Sequence, residues 1–346
     1  MAASLSEELV WELAHRLVAP PGELARRGVL VGPGDDCAIL ALPAGEAVAL
    51  TTDCMVEGVH FKLSSGTTTL ADVGYKIAAR SLSDLAACGA LPHSILVTLG
   101  LPAGASPHEV EEFMAGLSEA LREGECLLVG GDVHRAPHWT TCSTALGTLP
   151  AKPWLRSALT PGMVLYISGP LGLAEVGIAL LTGKLSPGDL PGKLAGLALS
   201  RINRPRPRLD LVKALGGQAT PAAIDLSDSL SRCLIQLAEA SGVEVEVYAE
   251  RIPAHPDALP VLAELAGMGE GELSPQERAA LLLASSEDYE LLLGLTEEDA
   301  KKVAPEALGL IPIGRVRTKS ASAPPKVVLV SEQGEEELAP TGYQHF

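Results

Sequence analysis

Apolar positions along the chain recur in two periods, and the switch between them marks out the elements. Leu9, Val10, Leu13, Leu17 and Val18 fall on one helical face behind Ser4 and Glu7, whose spacing makes a capping box. A first helix is therefore predicted, ending at Pro20, Pro21 and Gly22. The apolar run 47–50 predicts a buried strand that ends in Thr51, Thr52 and Asp53. Further on, the pattern predicts a helix from about Asp72, a break at Ser83 and Asp84, a second short helix and a strand over 95–99. Val110, Phe113, Met114, Leu117 and Leu121 give a one-faced helix over 108–123. A short strand over 127–129 then runs into Gly130, Gly131 and Asp132, and 140–147 reads as another strand.

The segment 148–163 is rich in proline and loop formers and marks a domain boundary. Beyond it come a strand over 163–168, a helix over 173–182, a strand over 222–224 that ends in Asp225, a helix over 230–240 and a half-buried strand over 243–247. Glu287 and Asp288 precede a further strand, and strands around 313–316 and 327–330 close the chain. The run 202–208, with three arginines among prolines, reads as a surface turn before a helix. The fold class is α/β (α+β), and 346 residues suit two domains, here 1–150 and 151–346.

Composition supports a compact globular chain, with 47% hydrophobic and 20% charged residues. The 26 basic and 43 acidic residues leave a net charge of −17, which argues against a nucleic-acid or anionic-membrane partner. No signal peptide or membrane span is legible, and six cysteines without CxxC spacing read as reduced, mostly core thiols, so a cytoplasmic location is expected.

The chemistry is carried by aspartates. Gly32, Pro33 and Gly34 force a turn that presents Asp35 and Asp36, a motif that by itself is most simply a solvated turn. The same residue type returns beside predicted strand ends or helix starts at Asp53, Asp84, Asp132, Asp225 and Asp228, where α/β folds place ligands. Carboxylates brought together there would repel, and divalent cations shared with a polyanion would neutralise them. Oxygen donors of this kind suit Mg²⁺ better than Zn²⁺. A triphosphate is the natural polyanion, yet GxxxxGK[ST], GxGxxG, HRD, HExxH and GxSxG are all missing.

At these residues the chain resembles the thiamine-monophosphate kinase family, within the superfamily of aminoimidazole ribonucleotide synthetase and selenophosphate synthetase. The matching motifs are GDDCA at 34–38, TTDxxxEGVHF at 51–61, YKxxxxxLSDLAAxGAxP at 75–92, GGD at 130–132, IDLSD at 224–228, EDYEL at 287–291 and the terminal GYxHF. The resemblance implies a two-domain, aminoimidazole ribonucleotide synthetase-like architecture. Its N-terminal domain would pair with a second copy in a homodimer, and its C-terminal domain would close over nucleotide and acceptor. It further implies Mg²⁺ ligands at Asp35, Thr51, Thr52, Asp53, Asp84, Asp132, Asp225 and Asp228, ATP contacts at Gly131, Asp132, Arg156 and Ser227, and thiamine contacts at His60, Glu287 and Tyr343. Read alone, His60 is as well explained as a core histidine, Tyr343 as a packed tail residue and Glu287 as a solvated cap.

The implied reaction is ATP-dependent phosphorylation of thiamine monophosphate to thiamine diphosphate. Several positions depart from the family pattern: Ser81, Val133, His134, Met163, Ser229, Ser285 and Ser286. Ser229 and Ser285 stand where glycine is usual, which would reshape loops that need positive φ. A superfamily enzyme with another small acceptor, or a catalytically silent nucleotide-binding paralogue, is the alternative reading.

Overall fold

The computed structural model describes residues 28–31, 39–40, 47–268, 272–318 and 323–342, with the isolated positions 16 and 26. The first predicted helix, the turn bearing Asp35 and Asp36, Cys37 and the tail from Tyr343 lie outside the described residues. The chain divides into two compact units, Met1–Leu85 with Ala90–Leu149, and Ala86–Gly89 with Pro150–Phe346.

The first unit opens with a small antiparallel pair, β1 (Val29–Val31) and β2 (Ile39–Leu40). It continues through β3 (Val48–Val56), α1 (Leu70–Ala87), β4 (Leu91–Leu101), α2 (Pro107–Glu123), β5 (Leu127–Arg135) and β6 (Thr140–Thr148). Four of these strands form one sheet in the order β3-β6-β4-β5, with β4 and β5 parallel and the other pairs antiparallel. α2 starts where Ser106 and Glu109 cap each other reciprocally, satisfying two backbone donors that a helix start leaves open. Residues 110, 113, 114, 117, 120 and 121 of α2 are buried, as the one-faced pattern predicts.

Three sequence expectations change here. The strand begun at 47–50 is neither buried nor finished at Thr51: every residue from Val48 to Val56 has a partner on β6, and Leu50 is 68% exposed. Thr51, Thr52 and Asp53 therefore sit in mid-strand, where alternation sends neighbours to opposite faces. No break occurs at Asp84, because Leu82, Leu85 and Ala86 are buried and their packing carries α1 through the Ser-Asp pair. Asp132 is likewise in mid-strand, since parallel pairing with β4 continues from Gly130 and Gly131 as far as Arg135.

The second unit contains β7 (Val164–Ile167), α3 (Leu173–Thr182), α4 (Leu194–Asn203), α5 (Leu209–Leu215), β8 (Ala222–Asp225), α6 (Leu230–Ser241) and β9 (Glu244–Tyr248). After these come α7 (Ala258–Leu265), α8 (Pro275–Ala284), β10 (Leu291–Leu295), α9 (Glu297–Val303), β11 (Ile311–Arg317), β12 (Lys326–Ser331) and β13 (Gly334–Glu337). Its seven strands form one sheet ordered β13-β12-β9-β11-β7-β10-β8, with only β12 and β9 parallel. Leu165, Ile167, Ile224, Leu234, Val245 and Leu292 belong to its main core.

β9 departs from the alternation expected of it. Glu246 is 2% exposed, and Arg317 and Arg315 approach its carboxylate at 2.6 and 2.8 Å. Their hydrogen bonds, Arg317 first, outweigh burial and hold the Glu246 carboxyl down to about 2.

α1 and α2 touch at glycine. A Cβ on Gly74 would lie 2.0 Å from the Phe113 carbonyl oxygen, and one on Gly116 would lie 1.7 Å from that of Ala71. Both obstacles are backbone, so the helices must separate to admit a methyl group. Gly74→Ala or Gly116→Ala is expected to lower stability by about 1–3 kcal/mol despite the better helix propensity of alanine, as read from the urea midpoint.

Candidate active site

Three segments distant in the chain meet in the second unit. β8 ends at Asp225, 2% exposed, and the chain turns through Leu226 and Ser227 to Ser229, the N-cap of α6. Leu226 N–H donates to the Glu290 carbonyl at 2.8 Å, Tyr289 N–H to the Leu226 carbonyl at 3.0 Å, and Glu287 N–H to the Ser227 carbonyl at 3.2 Å. The two acidic motifs are thus laced together by backbone. The third segment precedes the tail: the Ser229 hydroxyl donates to the Thr341 carbonyl, Thr341 N–H donates to Ser231 Oγ at 2.9 Å, and Thr341 Oγ1 donates to the Leu283 carbonyl at 3.3 Å. Gly342, at φ 97°, packs so closely that a Cβ there would meet Ser229 Cβ at 2.8 Å.

Left-handed backbone occurs in this loop, but not where the glycine-to-serine departures suggest. Ser229 and Ser285 have φ of −64° and −63°, and each hydroxyl has work: Ser229 accepts from Arg232 N–H, and Ser285 donates to Asp288 at 2.7 Å. Positive φ falls instead on Glu287 (59°) and Tyr289 (50°), a conformation costing on the order of 1–3 kcal/mol per residue. The side chain between them supplies the anchor. Asp288 is 1% exposed, bonded to Ser285, with Oδ1 3.9 Å from Arg201 Nε.

Glu290 is buried beside it and takes a fork of donors. Arg201 Nη2 bonds Oε1, Arg208 Nη1 lies 2.8 Å from Oε2, and the Ser168 hydroxyl donates to Oε2 at 2.5 Å while accepting Leu291 N–H at 2.7 Å. Burial works to raise the Glu290 carboxyl, but Arg201, Ser168 and Arg208 outweigh it and hold it below the usual carboxylate range. Asp288 goes the other way, since burial pushes it up to about 6 against the pull of Arg201 and Ser285. Burial, followed by the charge of Asp288, also raises Glu175 in the first turn of α3. The surface turn expected of the arginine run is corrected for Arg208. Its side chain is 18% exposed and turns inward, because a buried carboxylate demands a cation.

Among the residues singled out by the family resemblance, Asp225 and Asp228 flank Ser227, whose hydroxyl donates to Asp225 Oδ1 at 3.3 Å. Asp228 is exposed. Arg156 lies on an exposed turn and donates to Gln236 of α6 at 3.2 Å.

In the first unit, strand alternation divides the remaining candidates. Thr51 and Asp53 point to the side covered by α1: Thr51 donates to Asp84, and Asp53 accepts from Arg80 and the Ser81 hydroxyl, both at 3.2 Å. Thr52 faces the open side and donates to the Ser143 carbonyl at 2.8 Å. Asp132 shares that open side through its register with Thr98, and His134 Nδ1 stands 3.6 Å from its carboxylate. Gly131 beside it is exposed. His60 is half-buried in the turn after β3, where its Nδ1 accepts the Val56 N–H at 3.1 Å, a role in shaping the turn. Among the described residues, no group of three or more His, Cys, Asp or Glu side chains is close enough to hold a metal. The oxygen donors that do meet mix carboxylate with hydroxyl: Thr51 with Asp84, Ser81 with Asp53 and Ser227 with Asp225.

The sequence reading missed Arg80, Arg201, Arg208 and Ser168. The one available signal was the density of arginine just upstream of α5, and a charge pattern alone does not say which way a side chain turns.

With this geometry in hand, comparison with known proteins is informative. Residues 34–149 match the family model "AIR synthase related protein, N-terminal domain". The chain is 33% identical to the thiamine-monophosphate kinase of Synechococcus elongatus, over 90% of this chain and 91% of that one. This chain belongs to the thiamine-monophosphate kinase family. It is 30% identical to the Bacillus subtilis member over 97% of this chain and 99% of that one. The solved structure of AaThiL complexed with AMPPCP and TMP superposes with a TM-score of 0.73 at 26% identity, covering 88% of this chain and 89% of that one. The α/β two-unit architecture is therefore that of the family. Among the described residues no helix is long and apolar enough to cross a membrane.

Asp288 gives a pH signature. Its folded-state value, about 6, lies above the ordinary 3.8, so its contribution to stability is fully present below 3.8 and is lost as pH rises through about 6. Asp288→Asn is expected to flatten the stability profile between those values by up to about 3 kcal/mol, measured as urea midpoints across pH.

Proposed function

We propose that this chain transfers the γ-phosphoryl group of ATP to the phosphate of thiamine monophosphate, yielding thiamine diphosphate. The observation that carries this reading is the meeting of the IDLSD turn, the EDYEL loop and the approach to the GY tail through direct hydrogen bonds in one unit. AMPPCP and TMP, held by AaThiL, are chemically an ATP analogue and the matching acceptor.

A phosphate monoester has a second pKa near 6, so the acceptor arrives largely as a dianion and needs no side chain to remove a proton. The protein's task is in-line positioning and neutralisation of charge. For Mg²⁺ we assign oxygen donors only, which suit it better than a softer metal: in the first unit Asp35, with Thr51, Asp53 and Asp84 on the α1 side of the sheet and Thr52 and Asp132 on its open side, and in the second unit Asp225 and Asp228. Bound there, Mg²⁺ supplies the countercharge for the triphosphate oxygens. Ser81 and Arg80 fix the Asp53 carboxylate, and Ser227 fixes that of Asp225.

Gly131, Asp132, Arg156 and Ser227 are assigned to ATP, and His60, Glu287 and Tyr343 to the thiamine end. The backbone at Glu287 is left-handed, the neighbouring Asp288 is bonded to Ser285, and the Tyr289 hydroxyl donates to the Glu287 carboxylate at 3.5 Å. We divide these duties between domains 1–150 and 151–346. We assign homodimer pairing to the open face of the four-stranded sheet, where Val48, Leu50 and Leu96 are exposed apolar residues. An ATP-dependent reaction of this kind belongs in the cytoplasm.

The direct test is incubation of the purified protein with ATP, Mg²⁺ and thiamine monophosphate, followed by chromatography for thiamine diphosphate. Product that depends on both Mg²⁺ and acceptor is expected. ATP binding without product would reject this acceptor and point to another, with Val133, His134, Ser285 and Ser286 as the first positions to examine. Asp132→Asn, an exposed change away from the core, should cut kcat by roughly 100-fold or more with the circular dichroism spectrum unchanged. Near-normal turnover would remove Asp132 from the metal set.

A further inference from the structure

The expectation of mostly core thiols fails on two of the described cysteines: Cys126 and Cys233 are buried, but Cys54 and Cys88 are exposed, and Cys142 is half-buried. Burial falls instead on polar side chains of the loop before β10. Asp288 and Tyr289 are each 1% exposed and Glu290 is 4% exposed, while Glu287 is half-buried. A bulky residue at φ 50°, as Tyr289 is, makes a genuine outlier, and it persists here because both of its neighbours are pinned. Before it, Asp288 accepts the Ser285 hydroxyl at 2.7 Å. After it, the Glu290 carboxylate is held by Arg201, Arg208 and Ser168 and lies against Gly169, where a Cβ would come within 2.7 Å of the carboxyl carbon. The Tyr289 N–H itself donates to the Leu226 carbonyl at 3.0 Å. With the backbone fixed in this way the phenol ring is fully packed, and its hydroxyl reaches back to Glu287 Oε1 at 3.5 Å.

We infer that Tyr289 is a positioning residue, whose hydroxyl selects the Glu287 rotamer that meets the cationic ring system of the acceptor and thereby sets acceptor affinity. The inference rests on the assignment of Glu287 to the thiamine end. A glutamate side chain turns about three bonds and gives up that freedom when it binds. A donor carried on an immobile ring takes part of the loss before the acceptor arrives.

The step on which Tyr289 acts follows from the chemistry of the acceptor. Thiamine carries a fixed positive charge on its thiazolium ring, to which a carboxylate is complementary, and the phosphate that receives the phosphoryl group lies at the other end of the molecule. Charge at the ring end does not change during transfer, so a contact there is equally strong in the ground state and the transition state. Its loss raises KM and leaves kcat in place. The hydrogen bond is long, which puts its contribution at the low end for a bond to a charged group.

The test is Tyr289→Phe in the full chain, because phenylalanine keeps the packing of the ring and removes only the donor. Steady-state kinetics with ATP, Mg²⁺ and thiamine monophosphate should show KM for thiamine monophosphate rising roughly three- to tenfold. Both kcat and KM for ATP should stay within about twofold, with the circular dichroism spectrum unchanged. In a Glu287→Ala background, where the carboxylate is gone, adding Tyr289→Phe should leave kcat/KM for thiamine monophosphate where Glu287→Ala alone put it. An unchanged KM in the single variant, a fall in kcat at constant KM, or an equal loss with and without the Glu287 carboxylate would each overturn the inference while leaving the acceptor assignment standing. A folded wild-type chain that binds ATP but neither binds nor phosphorylates thiamine monophosphate would reject that assignment and this inference together.

Discussion

The second unit is built around a carboxylate that has been taken out of water. Glu290 sits at 4% exposure at the head of β10, and an unpaired charge there would cost several kcal/mol. Arg201 from α4, Arg208 from the start of α5 and Ser168 from the end of β7 converge on it. Those four positions, scattered over more than a third of the chain, are fixed relative to one another by this single neutralisation. The Glu290 carbonyl meanwhile receives the Leu226 N–H, so the residue that anchors the ion cluster also positions the turn bearing Asp225 and Ser227. Replacing the cluster with hydrocarbon need not weaken the fold, whereas removing one partner would leave a buried charge uncompensated.

Strain in the same region is small in extent and well supported. Glu287 and Tyr289 hold left-handed backbone on either side of Asp288. Three backbone hydrogen bonds to 226–227 and the Ser285 hydroxyl on Asp288 over-determine that conformation. A loop held in this way has little conformational entropy left to lose. Serine at positions 229 and 285 contributes hydroxyls to this support at negative φ, so these departures from the family pattern change how the loop is braced without straining its backbone.

The first unit follows a different constraint. Its two helices approach through Gly74 and Gly116 with no room for a Cβ, and this contact sets how closely α1 and α2 pack. α1 then presents Arg80, Ser81 and Asp84 to the inner side of β3, while Thr52, Cys54 and Asp132 remain on the outer side of the sheet. The candidate ligands of this unit are therefore distributed over two faces by the two-residue period of a strand.

Much of this was legible in the sequence. The helix over 108–123 was marked by its apolar spacing, because that signal is local and the physics that reads it is local. The turn after β8 and the loop before β10 were legible as well, because Asp225, Ser227 and Asp228 follow one short apolar run and Glu287 and Asp288 precede another. The motifs also sufficed to name the family. The burial of Glu290 and the inward turn of Arg208 were decided only in the tertiary structure, because composition counts charges without saying which ones lose their water. The same holds for the continuity of α1 through Ser83 and Asp84 and of β3 through Asp53. In each case a partner far away in the chain supplied the packing or the hydrogen-bonded ladder that overrode a local signal for a break, and no window of neighbouring residues contains that partner.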